Sequence, residues 1–128
     1  MTGLLSIIRT RLIATGVANS TTWLCFVGYG PDTQDQIITL NLTGGFPQDT
    51  MGNENVDQTF QVRIRTERLS YAECESKWWA MYDALHDADL SASGINLIQA
   101  MSSGPLEYLD AENRVNMTCN FHVIRAKT

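Results

Sequence analysis

The strongest constraint on what this chain can fold into is a change of hydrophobic period within residues 59–88. From Phe60 the residues alternate, Phe60, Val62 and Ile64 against Gln61, Arg63 and Arg65. A period of two predicts a strand with one face in a core. From residue 70 the period turns helical. Ser70 and Glu73 stand at capping-box spacing, where the Ser70 hydroxyl accepts from the Glu73 amide and the Glu73 carboxylate reaches back to the Ser70 amide. Leu69 and Cys74 hold the two staple positions, and Cys74, Trp78, Met81, Leu85 and Ala88 recur at i, i+4, i+7, i+11 and i+14. Such a stripe must lie on a sheet, and the strand just before it is part of one. Tyr71, Trp79 and Tyr82 widen the apolar arc as packing surface, while Glu73 and Lys77 face away at the favourable i, i+4 order.

The remaining elements fall around this unit. Leu4, Leu5, Ile8, Leu12 and Ile13 predict a short amphipathic helix over 3–15, with Thr2 as N-cap and Gly16 as stop. Trp23, Cys25, Val27 and Tyr29 alternate with Leu24, Phe26 and Gly28, a strand apolar on both faces and therefore expected at the centre of the sheet. Turn formers from Gly30 to Asp35 separate it from a strand over 37–42, which predicts an antiparallel hairpin. Residues 43–57 show no period and carry three glycines and three acids, with Phe46, Met51 and Val56 as apolar exceptions. Loops this long inside a small domain are usually functional, so the stretch is expected to be a contact arm. Strands follow over 95–101 and 106–109. Over 114–124, Val115, Met117, Cys119, Phe121 and Val123 alternate with Asn116, Thr118, Asn120 and His122, the cleanest strand pattern in the chain. The expected fold class is α+β: a mostly antiparallel sheet with two helices packed on one face, in a single domain over 1–128.

Charge and cysteine usage narrow the function. Nine basic against 14 acidic residues give a net charge of −5, which disfavours nonspecific attraction to a phosphate backbone. The N-terminal segment has no basic n-region and carries Arg9 and Arg11 among its apolar residues, so neither a signal peptide nor a membrane span is expected. Cys25, Cys74 and Cys119 lie far apart, each on the apolar phase of its element, which predicts buried free thiols. The triplets beginning at Asn19, Asn41 and Asn116 match glycosylation acceptors by chance. His86 sits near a helix end, where a cation complements the dipole, and His122 lies on the polar face of the last strand. No Gly-x-Ser-x-Gly elbow, HExxH pair or phosphate-binding glycine loop is present, and Asp87 with Asp89 reads as solvated charge.

Gly30, Pro31, Asp32 and Asp35, the strand 37–42 ending in Gly44 and Gly45, the run from Phe60 to Arg65, Tyr71 and Ala72 with the aromatic-rich helix to Leu85, and Leu109 to Arg114 with Asn120 and Phe121 carry a likeness through their order and spacing. Together they resemble the tail terminator (minor capsid) proteins of long-tailed bacteriophages over residues 28–125. The resemblance implies a structural virion protein, not an enzyme and without cofactor. Its subunits would assemble into a homo-oligomeric ring, commonly a hexamer, that caps the tail tube, ends tail polymerisation and offers a surface for head–tail joining. The implied partners are the tail tube protein and the head connector protein, with DNA only passing through the channel and no membrane. The implied place is the head-proximal end of the virion's tail, after assembly in the host cytoplasm. Residues 49–57 and the N-terminal region depart from the family pattern.

The expected contact residues follow. Gly44 and Gly45 are a hinge, and Phe46, Met51 and Val56 are anchors that become ordered on assembly. Arg63, Arg65 and Arg114 are expected on outward strand faces, paired with carboxylates such as Asp110 or Glu112 of the same or a neighbouring subunit. Three alternatives stand beside this reading: another head–tail connector or neck protein, a small-molecule-binding α+β domain, and a monomeric adaptor that holds a protein partner with its long loop.

Overall fold

A computed structural model describes residues 3–46 and 55–126. Its elements run α1 (Leu4–Ala14), β1 (Leu24–Val27), β2 (Ile37–Gly44), β3 (Asn55–Arg68), α2 (Tyr71–Leu85), a short 3₁₀ turn (Ser91–Ser93), β4 (Ile95–Ala100), β5 (Leu106–Leu109) and β6 (Arg114–Ala126). The strands form one sheet in the order β1-β2-β3-β6-β4, with β5 also on β6 beyond the end of β4. All pairings are antiparallel except β1 with β2. This is the expected α+β architecture.

The two alternating patterns form the centre. β3 and β6 pair along most of their length, Phe60 opposite Phe121 and Ile64 opposite Met117, and the two phenyl rings stack at 5.2 Å. Their inward residues are sealed by the α2 stripe, in which Cys74, Trp78, Met81, Ala84 and Leu85 are buried, and by Leu4, Leu5, Ile8 and Leu12 of α1. Trp78 also repairs a fault in the sheet. Where β6 changes partner from β4 to β5, the Trp78 indole donates to the Thr118 carbonyl at 3.1 Å.

Several expectations are corrected. β1 lies at a sheet edge and not at the centre, and it pairs parallel to β2, Leu24 opposite Ile37 and Val27 opposite Leu40. A tight hairpin uses two to five loop residues. Residues 28–36 are enough to carry the chain back along the short β1, so it re-enters in the same direction. The capping box does not close: Ser70 makes no side-chain cap bond, and its hydroxyl donates to the Glu73 carboxylate at 3.1 Å. Leu69 is no staple, because its left-handed backbone (φ 56) leaves its side chain exposed. Ile13 is exposed as well. Lys77 does not face away but donates to the Val17 carbonyl at 3.0 Å and lies 4.8 Å above the Trp23 ring, where desolvation lowers its pKa and Glu73 opposes the shift. Asn19 serves the loop before β1, its side-chain oxygen accepting from the amides of Thr21, Thr22 and Trp23.

Candidate assembly surfaces

The sheet face away from the helices carries the polar half of each alternation, and two rows cross it. One runs Thr39, Arg63, Thr118, Leu106; the next runs Ile37, Arg65, Asn116, Tyr108. Segment 28–36 lies over this end of the face. Arg65 donates to the carbonyls of Pro31 (2.6 Å), Gln34 and Asp35 (3.4 Å), and stands 3.6 Å from the Asp32 carboxylate. Arg114 donates to the Asp32 carbonyl at 3.0 Å and to the carboxylates of Asp110 (2.8 Å) and Glu112 (2.5 Å). Gly30 is where the segment touches the sheet: a Cβ there would stand 2.6 Å from Ile37 Cδ1 and 2.7 Å from Thr39 Oγ1.

The local sequence explains why Arg114 can serve as a hub. Asp110 accepts from the amides of Glu112 (3.0 Å) and Arg114 (2.9 Å), and Asn113 closes the turn with φ 61. That turn starts β6 with the Arg114 guanidinium folded back on the Asp110 carboxylate. Burial opposes the charge on both, yet the hydrogen bonds between them outweigh it. Asp110 is held below its ordinary range and Arg114 above its own. For Arg65 the balance goes the other way, with desolvation and then the neighbouring Arg114 and Arg63 lowering its pKa.

Beyond Arg63 no described segment lies over the same face. A cleft of about 440 Å³ is lined by Thr43, Gly45, Phe46, Thr59, Gln61, Met101 and Asn120, without a charged group. Phe46 is half exposed and meets the His122 ring edge-on at 5.2 Å.

The structure redistributes the expected contact residues. Arg65 and Arg114 lie on the sheet face away from the helices and pair with carboxylates within the subunit, but they are buried beneath segment 28–36 and do not reach the surface. Arg63 is partly buried, and its Nε has no hydrogen-bond partner among the described residues. The irregular stretch is shorter than 43–57. Gly44 ends β2 at a register shift with φ 103, and Val56 lies within β3 opposite Arg125. Gly45 passes so close to β3 that a Cβ would stand 2.1 Å from the Asp57 carbonyl oxygen. Met51 lies outside the described residues. Asp32 and Asp35 carry part of the family likeness but are not among the expected contact residues, and neither is the exposed apolar β5. The nine-residue separation of β1 and β2 was the available signal for the first, and four exposed positions in a row give no alternation for the second.

Among the described residues the cysteines and histidines serve the packing. The three cysteines are buried and free, each pKa pushed up to about 11 by desolvation. His86 accepts the Ala100 amide at 3.0 Å and stacks on Tyr82 at 4.7 Å. Among the described residues no cluster of His, Cys, Asp or Glu could hold a metal ion, and no helix is long and apolar enough to cross a membrane.

Residues 7–125 match the profile of a family described as bacteriophage tail terminator protein. The chain belongs to the tail terminator family. This makes it a structural protein of a phage-type tail. The fold agrees: a chain in the solved virion of a native gene transfer agent particle superposes with a TM-score of 0.66 at 14% identity, over 96% of this chain and 94% of that one. No curated protein sequence matches significantly. In this tail terminator family member, the buried Arg65–Arg114 cluster fastens a crossover. Among the described residues the uncharged cleft beside Phe46 and the two sheet edges stay open.

Proposed function

We infer that this protein ends the tail. Copies join into a ring, with six as the expected number, on the head-proximal end of the tail tube. The ring stops addition of tube subunits and presents its other side to the head connector. The observation that carries this reading is the family match across residues 7–125. The physical chemistry is compatible with it: a cap needs rigid subunits with open surfaces, and a net charge of −5 gives DNA little reason to stick while it passes. Assembly would take place in the host cytoplasm before the virion is complete.

Within this reading the cleft beside Phe46 is a contact surface. Gly44 and Gly45 set the path of the chain out of β2, and Phe46, Met51 and Val56 remain the proposed anchors. Of Arg63, Arg65 and Arg114, Arg63 is the one that contributes to contacts between chains. Arg65, Arg114, Asp110 and Glu112 contribute by holding the segment that a neighbour meets. Deleting the gene and imaging the particles by negative-stain electron microscopy tests the function. The expected result is tails of excess and variable length without heads, reversed by a plasmid copy; tails of normal length joined to heads would overturn it.

A further inference from the structure

We propose that the ring closes by joining two unlike edges of the subunit, the β5 edge of one copy seating against the α1–β1 edge of the next. This rests on the ring reading above and assigns its subunit contact.

The β5 edge is unprotected. All four residues of Leu106–Leu109 are exposed, Leu106 at 71%, and among the described residues no strand covers the side of β5 away from β6. Exposed edges in soluble proteins are blunted by shortness, charge, proline or a bulge. Leu-Glu-Tyr-Leu is short and carries one acid, but it has no lysine, proline or bulge, and its three exposed apolar side chains suit an edge that is covered after assembly. Its one charge, Glu107, makes no ion pair among the described residues.

The opposite edge complements it. A cleft of about 420 Å³ lies between α1 and the start of β1, with Ile13 and Leu24 as apolar walls and Arg9 at its rim. Ile13, Val27 and Tyr29 leave apolar surface uncovered there, Tyr29 at 75% exposure. The Arg9 Nε donates to the Cys25 carbonyl at 3.0 Å, which fixes the guanidinium along the edge, and no carboxylate pairs with it among the described residues. The charges are segregated in the same sense. Residues 3–31 contain no Asp or Glu, whereas residues 83–113 contain Asp83, Asp87, Asp89, Glu107, Asp110 and Glu112 and no Lys or Arg.

The occupant is therefore a second copy of this chain. A two-fold contact of β5 with β5 would set Glu107 near Glu107, and like charges across paired strands are destabilising. Unlike edges give a head-to-tail contact, the kind that repeats around a ring. In the join, Leu106 or Leu109 enters the Ile13–Leu24 cleft while Glu107 meets Arg9.

Charge reversal tests it, with assembly read by sedimentation velocity and by ring occupancy on tails. Glu107→Arg and Arg9→Glu should each weaken subunit association about tenfold or more, and the double variant should regain most of it because both changes meet at one contact. Glu107→Arg sits on an exposed strand and keeps the test valid if Arg9→Glu unfolds, as checked by circular dichroism. Single reversals without effect, a double variant no better than the singles, or covalent dimers from Leu106→Cys alone would overturn the edge assignment. If such variants still form rings that end tails, the function stands without this contact; a wild-type chain that never forms rings overturns both.

Discussion

Replacing Arg114 by methionine separates structural from surface electrostatics most sharply. The Arg114 side chain is 6% exposed and its stem would be replaced by one of similar shape, so the loss is the guanidinium. Four acids surround it at very different depths: Asp110 is 21% exposed, while Asp35, Glu112 and Asp32 are 60%, 65% and 86% exposed. The latter three already face water and would simply be rehydrated. Asp110 stays covered, still bound by the amides of Glu112 and Arg114. Removing one member of a fully buried pair costs about 3–5 kcal/mol, so a partly exposed partner places Arg114→Met near 3 kcal/mol. At roughly 4 °C per kcal/mol for a domain of this size, the thermal midpoint should fall by about 12 °C. Asp32→Ala removes an exposed partner of both Arg65 and Arg114 and should cost only about 0–1 kcal/mol. Urea denaturation of both variants, with amide exchange across residues 28–36, is the assay. An Arg114→Met midpoint close to that of the wild type, or an Asp32→Ala cost equal to it, would refute the reasoning.

Other outcomes follow from the same contacts. Trp78→Phe leaves the Thr118 carbonyl without its donor and should lower stability by about 1–3 kcal/mol, less than the ~3–5 kcal/mol of Trp78→Ala; equal stability of Trp78→Phe and wild type in urea would mean that the indole bond contributes nothing. Gly30→Ala forces a Cβ into Ile37 and Thr39 and should cost about 1–3 kcal/mol, with faster amide exchange in residues 28–36; unchanged exchange would show that the segment does not rest on the sheet there. The folded-state pKa of Asp110 is below its ordinary 3.8, so its contribution is complete above that pH and is lost as the pH falls through the folded value. Stability should therefore decline in acid below about pH 4, less steeply in Asp110→Asn, and parallel acid denaturation curves would remove Asp110 as a cause.

The sequence conveyed what periodicity can convey. The alternations of β3 and β6 and the α2 stripe name most of the core, since burial on one face leaves a period that no neighbour can hide. The β1–β2 relation was illegible because turn formers at Gly30 to Asp35 mark a change of direction without telling how far the chain returns. Arg65 and Arg114 looked exposed for a related reason. They occupy the polar phase of their strands, and polar phase means away from the core only when nothing else covers that face. The covering segment is distant in sequence from Arg114. Asp110 and Glu112, in the turn just before Arg114, announced their pairing locally.

The most direct measurement is a cryo-electron microscopy reconstruction of the head-proximal end of the assembled tail. The expected result is a closed ring of copies of this fold at the end of the tube, β5 of each copy against α1 and β1 of the next, with an open central channel. The fold absent from that end, or repeated along the length of the tube, would contradict it.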